Sequence, residues 1–295
     1  MGKTLKEKQE QFLSLMMPVQ KAEDRSKLLR YIKEGENVLL ITNGNIQTAK
    51  LIVNKFDKDK ILILDITKRG EEKALEFIEY YSDRVKFKDV SFLNFLPVDN
   101  FDVVIFDTSL HEMYSSLEYE NKKFNIDIIP VIIRKACKIL RDNGKIIVRD
   151  SIANSSNYKI TVQFKDKNLE KLAKIYIRNC AWGPLDVRET SVGYVMSYNS
   201  MVELLYAITW GEEELIRELK KQRCFFSLKD WERLAFYTNK YYGVNLREAF
   251  EYTQKEYVEN LDGKVKVFSS IPENPSRKVI PFPSSNAIIV LQKNI

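Results

Sequence analysis

Two apolar runs joined by a glycine turn and a short polar segment constrain the fold of this chain more than any other feature. The first run and its turn are Asn37-Val-Leu-Leu-Ile-Thr-Asn-Gly-Asn-Ile46, and the second run is Ile61-Leu-Ile-Leu-Asp65. Residues 48–56, between them, fit a short helix. A strand, a glycine turn, a helix and a second strand that ends in a carboxylate are typical of the start of a βαβ nucleotide-binding unit. Asp65 lies 21 residues after Gly44, close to the ~20 residues expected between such a turn and the acid that binds the ribose.

The next ninety residues continue the alternation of strands and helices. The first two strands are predicted near 37–42 and 60–65, and further strands at 85–90, 101–107 and 145–149, with helices at 71–81 and 128–140. Phe101-Asp-Val-Val-Ile-Phe-Asp107 is apolar except at its ends, as expected of a strand covered on both faces of a parallel sheet. The pattern therefore predicts an α/β fold with a mostly parallel sheet and right-handed crossovers.

The second half of the chain has a different pattern. Helices are predicted at 169–180, 200–219, 228–242 and 246–258, and strand character returns only at 265–269 and 287–292. We expect these last two strands to close the sheet as an antiparallel hairpin. The predicted organisation is four segments: N-terminal helices over 1–36, the sheet core over 37–152, a helical insertion over 153–260, and the closing hairpin over 261–295.

Composition excludes several classes of protein. The chain of 295 residues is 44% hydrophobic, with a net charge of +6 that falls well short of a nucleic-acid-binding signature. Residues 1–10 have no apolar stretch like that of a signal peptide, and no segment has the ~20 apolar residues needed to span a bilayer, so a cytoplasmic protein without a membrane partner is expected. Three cysteines, far apart, suggest neither disulfides nor zinc. His111 is the only histidine, and no metal site is predicted.

The motifs in this order resemble those of the class I S-adenosylmethionine-dependent methyltransferases. Val38 to Ile46 looks like the first motif of that family, Ile63-Leu-Asp65 the second, Lys88-Asp-Val90 the third, and Phe101 to Asp107 with the following Ser109-Leu-His-Glu112 the fourth. Ala136 to Val148 is similar to the helix, glycine turn and fifth strand that end the common core. The resemblance implies a Rossmann-like methyltransferase sheet, S-adenosylmethionine as the cofactor, and an insertion that selects the substrate.

The resemblance also implies which residues contact the cofactor. Asp65 would accept hydrogen bonds from the ribose diol, which a carboxylate does better than an amide or an alkyl group, and Asp89 would face the adenine amino group. The alternative for both residues is an ordinary turn or cap. The full predicted cofactor set is Thr42, Asn43, Gly44, Asn45, Asp65, Ile66, Asp89, Val90 and Asp107.

The first motif departs from the family pattern. The family has an acid two residues before a Gly-x-Gly-x-Gly turn, whereas here Leu40 replaces the acid, Thr42 and Ile46 replace the outer glycines, and only Gly44 remains. Two interpretations follow. Either Thr42, Asn43 and Asn45 supply substitute polar contacts in a variant methyltransferase, or the domain no longer binds the cofactor.

Residues after the fourth and fifth strands are candidates for catalysis. His111 is a candidate general base, with Glu112 as its catalytic partner, and either Glu112 or Asp107 would orient the imidazole. The alternative is a histidine bonded to a backbone carbonyl. Predicted substrate contacts come from one aromatic residue and an adjacent charged pair, each of which has a core or surface-pair alternative: Tyr114, Arg149 and Asp150.

Three functions compete at this point. The first is methyl transfer to an oxygen or nitrogen of a small molecule or RNA, and the second is a noncatalytic methyltransferase-like subunit, for example of a nucleic-acid-processing complex. The third, a dinucleotide enzyme, is disfavoured because a GxGxxG motif is absent. Aromatic and basic residues in 206–223 could bind nucleic acid or form an amphipathic helix. The sequence leaves the acceptor and the oligomeric state open.

Overall fold

The structure is a computed structural model, and it describes residues 23–65, 71–97, 100–156 and 158–294. Seven strands form the main sheet: β1 (Asn37–Thr42), β2 (Lys60–Asp65), β3 (Val85–Lys88), β4 (Phe101–Asp107), β5 (Leu140–Ser151), β9 (Val244–Tyr252) and β12 (Asn286–Lys293). Their order is β3-β2-β1-β4-β5-β12-β9. The strands β1 to β5 are parallel, and β12 is antiparallel to its neighbours β5 and β9. The predicted α/β fold, with a mostly parallel sheet and an antiparallel last strand, is confirmed.

Five more strands form a second, antiparallel sheet: β6 (Lys159–Phe164), β7 (Val187–Thr190), β8 (Gly193–Ser197), β10 (Val265–Phe268) and β11 (Val279–Ile280). Their order is β11-β10-β6-β8-β7. This sheet has its own apolar core, which includes Val162, Tyr176, Leu205 and Tyr257.

The helices are α1 (Glu23–Ser26, continued by a 3₁₀ helix at Lys27–Tyr31), α2 (Gln47–Lys55), α3 (Glu71–Tyr80), α4 (Leu110–Ser116), α5 (Ile128–Lys138), α6 (Lys167–Asn179), α7 (Tyr198–Ile208), α8 (Glu212–Glu218), α9 (Leu228–Tyr242) and α10 (Lys255–Leu261). One face of the main sheet packs on the 3₁₀ helix, α2 and α3. The other face packs on α4, α5 and α9. In the described part of the chain, no helix combines the length and the apolar character that crossing a membrane requires.

Two predictions for the second half are wrong. The segment 246–258, predicted as a helix, contributes most of β9, and a helix begins only at Lys255. Val244-Asn-Leu-Arg-Glu-Ala-Phe-Glu-Tyr252 is rich in helix formers, but pairing with β12 decides its conformation. The insertion is also not purely helical, because it contains β6, β7 and β8.

The closing hairpin has a different partner from the one predicted. The segment 265–269 was expected to pair with the last strand, but β10 lies in the second sheet and β9 pairs with β12. Because the second sheet takes strands from both sides of residue 260, that predicted boundary does not separate the two sheets. The boundaries at 36 and 152 remain predictions. Of the predicted N-terminal helices, residues 1–22 lie outside the described part, and 23–31 are helical.

Candidate active site

The carboxyl ends of adjacent strands bring most of the predicted site residues into one row. The register pairs Thr42 with both Asp65 and Asp107, and it pairs Asp107 with Arg149. Asp89 directly follows β3, the neighbour of β2. Open α/β sheets bind ligands outside this edge, where the strand order reverses. In this sheet the reversal lies between β1 and β4.

The turn after β1 is held by its own side chains. Gly44 has a φ of +90°, a left-handed conformation that glycine adopts without strain. The Thr42 hydroxyl donates to the Asn45 carbonyl at 2.7 Å and accepts from the Asn45 N–H at 3.1 Å. The Asn45 side chain accepts from the first N–H of α2 at 2.9 Å. The Asn43 amide reaches further and donates to Glu112 Oε1 at 3.5 Å.

On the face of the sheet that the N-terminal helices cover, Asp107 is the centre of a buried group of charges. Its carboxylate accepts from Arg149 Nη1 at 2.8 Å, from Arg25 Nε at 3.1 Å and from the Thr48 hydroxyl at 2.6 Å. Arg149 comes from β5, Arg25 from α1 and Thr48 from the first turn of α2. We call these four residues the arginine cluster.

The charges of the arginine cluster are fixed. Burial alone would raise the pKa of Asp107, but the guanidinium groups of Arg25 and Arg149 outweigh burial and lower this pKa to about 2. Burial would lower the pKa of Arg149, but the Asp107 carboxylate raises it. Because three groups of the protein use the Asp107 carboxylate, these contacts argue against its predicted role in cofactor binding.

His111 lies on the opposite face, within reach of β5. Thr108 turns the chain between β4 and α4 with a φ of +53°, a conformation that β-branched residues rarely adopt. His111 Nδ1 is 2.6 Å from Asp150 Oδ1. Asp150 Oδ2 accepts from the backbone N–H groups of Leu110 and His111 at 2.8 and 3.2 Å.

These contacts determine which nitrogen of His111 is free. Burial would raise the pKa of Asp150, but His111 and the surrounding N–H groups outweigh burial and lower it, so the carboxylate is ionised and only accepts. A neutral His111 ring therefore carries its proton on Nδ1 and a lone pair on Nε2. Nε2 is buried and has no hydrogen-bond partner among the described residues. This arrangement suits a general base.

Of the two residues predicted to orient His111, Glu112 or Asp107, the structure rules out Asp107. Asp150 orients the imidazole, whereas Asp107 belongs to the arginine cluster on the other face of the sheet. Glu112 lies on the other side of the ring, with Oε1 3.8 Å from Nε2.

A loop of the insertion covers His111, which is 0% exposed. This loop, residues 219–227, is called the covering loop below. Its Lys221 Nζ lies 2.5 Å from Glu112 Oε1, and its Gln222 side chain accepts from the Tyr114 hydroxyl at 2.7 Å. Burial would raise the pKa of Glu112, but His111 and Lys221 outweigh burial and lower it. We call His111, Glu112, Asp150 and Lys221 the histidine cluster.

Buried charges also anchor the covering loop. Arg223 donates to Glu218 through Nε and Nη2 at 2.6 and 2.7 Å. The Glu203 carboxylate accepts from the backbone N–H groups of Arg223 and Cys224. Burial raises the pKa of Glu203 to about 7, although these hydrogen bonds and the Arg223 charge act in the opposite direction.

The residues predicted to contact substrate are all buried and have partners within the protein. Tyr114 stacks on Phe225, with ring centres 4.9 Å apart. Arg149 and Asp150 are 1% and 3% exposed, and they bind Asp107 and His111 respectively. Their contacts with substrate therefore stay predictions.

The segment predicted as a possible nucleic-acid surface is also largely internal. Its Tyr206 is buried under Arg223, whose guanidinium carbon lies 4.2 Å from the ring centre. Lys221 and Arg223 are buried in ion pairs. These residues do not form the interleaved aromatic and basic surface that nucleic acid would require.

The remaining predicted cofactor residues lie at the ends of β2 and β3. Ile66 and the side chain of Asp65 lie outside the described residues. Asp89 is exposed and Val90 is partly buried. A positive-φ glycine turn beside two strands that end in aspartates fits the nucleoside part of S-adenosylmethionine. Among the described residues, no three His, Cys, Asp or Glu side chains are grouped as metal ligands.

Several residues of the two clusters could not be recognised in the sequence. Arg25 and Lys221 lie far along the chain from the motifs, and no sequence pattern marks them. The position of Asp150 at the end of a predicted strand did mark it as a candidate. Its pairing with His111, however, depends on how β5 lies beside β4. Thr48 was recognised only as part of a helix.

Comparison with known proteins supports the fold. No protein-family model matches the sequence, and no curated protein matches it significantly. The chain is similar to the solved structure of a candidate methyltransferase from Bacillus halodurans C-125, with a TM-score of 0.51 and 14% identity over 92% of this chain and 100% of the other.

Two other solved structures are similar at lower scores. The YcgJ protein from Bacillus subtilis has a TM-score of 0.49 and 14% identity over 92% of this chain and 99% of the other. A candidate sarcosine dimethylglycine methyltransferase from Galdieria sulphuraria has a TM-score of 0.48 and 12% identity over 94% of this chain and 86% of the other. With the strand order and the antiparallel β12, the similarity to the Bacillus halodurans protein shows that the chain has the class I methyltransferase fold.

Proposed function

We propose that the protein transfers a methyl group from S-adenosylmethionine to an oxygen or nitrogen of an acceptor, with His111 as the general base. One observation carries this proposal. Asp150 Oδ1 lies 2.6 Å from His111 Nδ1, so that Nε2 keeps its lone pair at the carboxyl edge of the sheet. The Asn43 contact with Glu112 links this base to the glycine turn of the cofactor site.

The cofactor would be held at the ends of β1, β2 and β3. Asp65 would accept hydrogen bonds from the ribose, Asp89 would face the adenine, and the Gly44 turn would allow close approach of the backbone. The flanking residues of this site would be Thr42, Asn43, Asn45, Ile66 and Val90. When bound, S-adenosylmethionine supplies an electrophilic methyl group on a sulfonium sulfur.

The residues of the histidine cluster would handle the proton of the acceptor. His111 Nε2 would accept it from a hydroxyl or amine, and the Asp150 carboxylate would stabilise the imidazolium that results. Glu112, held by Lys221, would add negative charge on the Nε2 side of the ring. The covering loop would exclude water from the base.

Calorimetric titration with S-adenosylhomocysteine tests the cofactor site. We expect wild-type protein to bind and Asp65→Ala to weaken binding by about tenfold or more, because hydrogen bonds to a charged group are lost. Asp127→Ala, at an exposed position, is the control and should bind as wild type does. Equal affinities for wild type and Asp65→Ala would show that the pocket lies elsewhere.

The base is tested separately by His111→Asn. S-adenosylhomocysteine affinity should not change, because Asn43 and the turn are untouched. Methyl transfer to an acceptor found by screening hydroxyl and amine compounds should fall by roughly 10²- to 10⁴-fold, the usual contribution of a general base. Full turnover in this variant would eliminate His111 as the base.

A second function, that of a noncatalytic methyltransferase-like subunit, has one observation in its favour. His111 is fully buried in a helix on which the covering loop packs, and the arginine cluster fills the sheet edge beside β1 with paired charges. Wild-type protein that binds no S-adenosylhomocysteine at millimolar concentration would support this second function and exclude methyl transfer.

A further inference from the structure

We propose that the ends of β5, β9 and β12 form a binding site for an acidic group, a carboxylate or a phosphate, carried by the methyl acceptor. The proposal rests on the proposed function and names the chemistry of its acceptor. Its residues are Arg149, Tyr252 and Asn286, and we call them the acid-binding site.

Each of these residues has a buried polar atom without a partner. Arg149 Nε, Asn286 Nδ2 and the Tyr252 hydroxyl have no hydrogen-bond partner among the described residues. A buried polar group left unpaired costs roughly 1–3 kcal/mol, and most such groups in folded proteins are paired. The Arg149 and Asn286 atoms can only donate. An acidic group, which is rich in acceptor oxygens, would satisfy these donors and accept from the Tyr252 hydroxyl as well.

The three side chains lie on one face of the sheet. The register pairs Asn286 with Tyr252, and it pairs Ile288 with Arg149. Asn286 and Ile288 are two residues apart on β12 and so face the same side, which is the side of the N-terminal helices. Burial raises the pKa of Tyr252 and the Arg149 charge acts in the opposite direction, so the two side chains are within electrostatic reach.

The charge around the acid-binding site favours an anion. Asp107 is paired with Arg149, and Asp24 is paired with Lys27 at 3.0 Å. The Lys27 ammonium also lies 4.2 Å from the centre of the Tyr252 ring. Asp107 is also paired with Arg25, so the two arginines carry one more positive charge than Asp107 neutralises. At 15% exposure, the Arg25 side chain is the most accessible of the arginine cluster.

Strand order assigns this site to the acceptor rather than to the cofactor. From β1, the strands β4, β5 and β12 follow in the direction away from β2. With neighbouring strands ~4.8 Å apart, Asn286 lies ~14 Å from the cofactor turn. Arg149 directly precedes Asp150, the partner of His111. Arg149 and Asp150 face opposite sides of the sheet, so an acceptor that reaches the base would pass over the end of β5 to place its acidic group at Arg149.

Calorimetry with benzoate and with inorganic phosphate, at ionic strength held constant with sodium chloride, tests the proposal. Tyr252→Phe removes only the unpaired hydroxyl and should weaken binding about tenfold, as expected for one hydrogen bond to a charged group. Asn286→Asp should abolish binding, because it replaces a donor with a negative charge. Binding of benzoate alone identifies a carboxylate, and binding of phosphate alone identifies a phosphoryl group.

Tyr257→Phe is the matched control. The Tyr257 hydroxyl is also buried and has no partner in the described part of the chain, but it lies in the core of the second sheet. This variant should bind both probes as wild type does. If wild type binds neither probe, or if Tyr252→Phe binds them unchanged, the proposal is overturned.

S-adenosylhomocysteine titrations of the same variants separate this proposal from the proposed function. Tyr252→Phe should bind this ligand normally. An equal loss of S-adenosylhomocysteine affinity would assign the donors to the carboxylate of the cofactor and overturn the acceptor site. Wild type that binds a probe but not S-adenosylhomocysteine would refute methyl transfer, while the anion site itself would stand.

Discussion

Two buried aspartates end neighbouring strands of one sheet, and their partners give them different roles. Asp107 accepts from two arginines and a threonine, whereas Asp150 accepts from a histidine and three backbone N–H groups. Arginine keeps its proton in a folded protein, so the arginine cluster is a fixed pairing of charges. In the histidine cluster, by contrast, Asp150 binds only Nδ1 of the ring, and Nε2 has no hydrogen-bond partner among the described residues.

Burial and charge pairing therefore do not by themselves identify a catalytic carboxylate. Both aspartates are buried, and both have a lowered pKa. What differs is whether the partner has a free atom that can exchange a proton with a ligand. Under the proposed function His111 Nε2 would be such an atom, and substitutions that break one cluster at a time measure the difference.

The largest effect is expected from Asp107→Asn. The substitution leaves Arg149 as a buried cation without a counter-charge, which costs about 3–5 kcal/mol of stability. Urea unfolding at neutral pH measures the loss. Asp186→Asn is the control, because Asp186 forms an exposed, solvent-screened pair with Lys159 and should leave stability close to that of wild type. Similar losses in the two variants would show that the arginine cluster is not structural.

The lowered pKa of Asp107 also predicts how the free energy of unfolding changes at acidic pH. Its folded pKa is lowered to about 2, so its contribution is complete above the unfolded pKa near 3.8 and disappears as pH falls through about 2. Wild type should lose about 2 kcal/mol from this group over that window. Asp107→Asn should lack this component of the acid transition.

A smaller effect is expected from Glu203→Gln, because Glu203 supports the covering loop. The stability that Glu203 contributes changes with pH in the opposite direction to that of Asp107. Burial raises the folded pKa of Glu203 to about 7, so wild type should lose up to about 3 kcal/mol as pH rises from about 4.5 to 7. The Gln oxygen can still accept from both backbone N–H groups but does not titrate. Urea unfolding at pH 5 and pH 8 should therefore show a flatter profile for the variant.

The control for this variant is Glu213→Gln, at an exposed position of α8. It should follow the wild-type profile. If Glu203→Gln also follows that profile, Glu203 does not titrate in this range and the covering loop has no pH-sensitive anchor.

The smallest effect on stability, about 2 kcal/mol, is expected from Asp150→Asn. The new amide nitrogen would face donors, which leaves hydrogen bonds unmade, but no permanent cation is stranded. The amide would donate to His111 Nδ1 and move the ring proton to Nε2. Because the chain has one histidine, ¹⁵N NMR reports this change directly.

Asp166→Asn provides the comparison for that measurement. Asp166 caps α6 by accepting from two N–H groups, and asparagine caps about as well. Stability and the histidine signals should both stay at wild-type values. An unchanged tautomer in Asp150→Asn would mean that Asp150 does not set the state of the base.

Where long apolar runs or helical periodicity dominate, the sequence predicted the fold well. The strands at 37–42, 60–65 and 101–107 and the helix at 228–242 coincide with β1, β2, β4 and α9. Prediction failed where pairing with distant strands decides the outcome. The segment 244–252 has helix-forming residues but completes the sheet beside β12.

The sequence predicted the sheet edge at which the candidate site lies, but not the contacts between its residues. His111 was placed at the right edge because the end of β4 could be recognised. Its partner Asp150 is 39 residues further along the chain, and Lys221, the partner of Glu112, is 110 residues further. Those contacts depend on the register of β4 against β5 and on the path of the covering loop, neither of which has a local sequence signal.

The interleaving of the two sheets has a consequence for how the chain can be divided. After β9 the chain leaves the main sheet to form β10 and β11, and it returns to form β12. A chain truncated after β9 would lose β12, which joins β9 to β5, and β10, one of the two strands that pair with β6. Neither sheet can therefore be excised as a module, and an engineered exchange of segments has to replace loops within an intact chain.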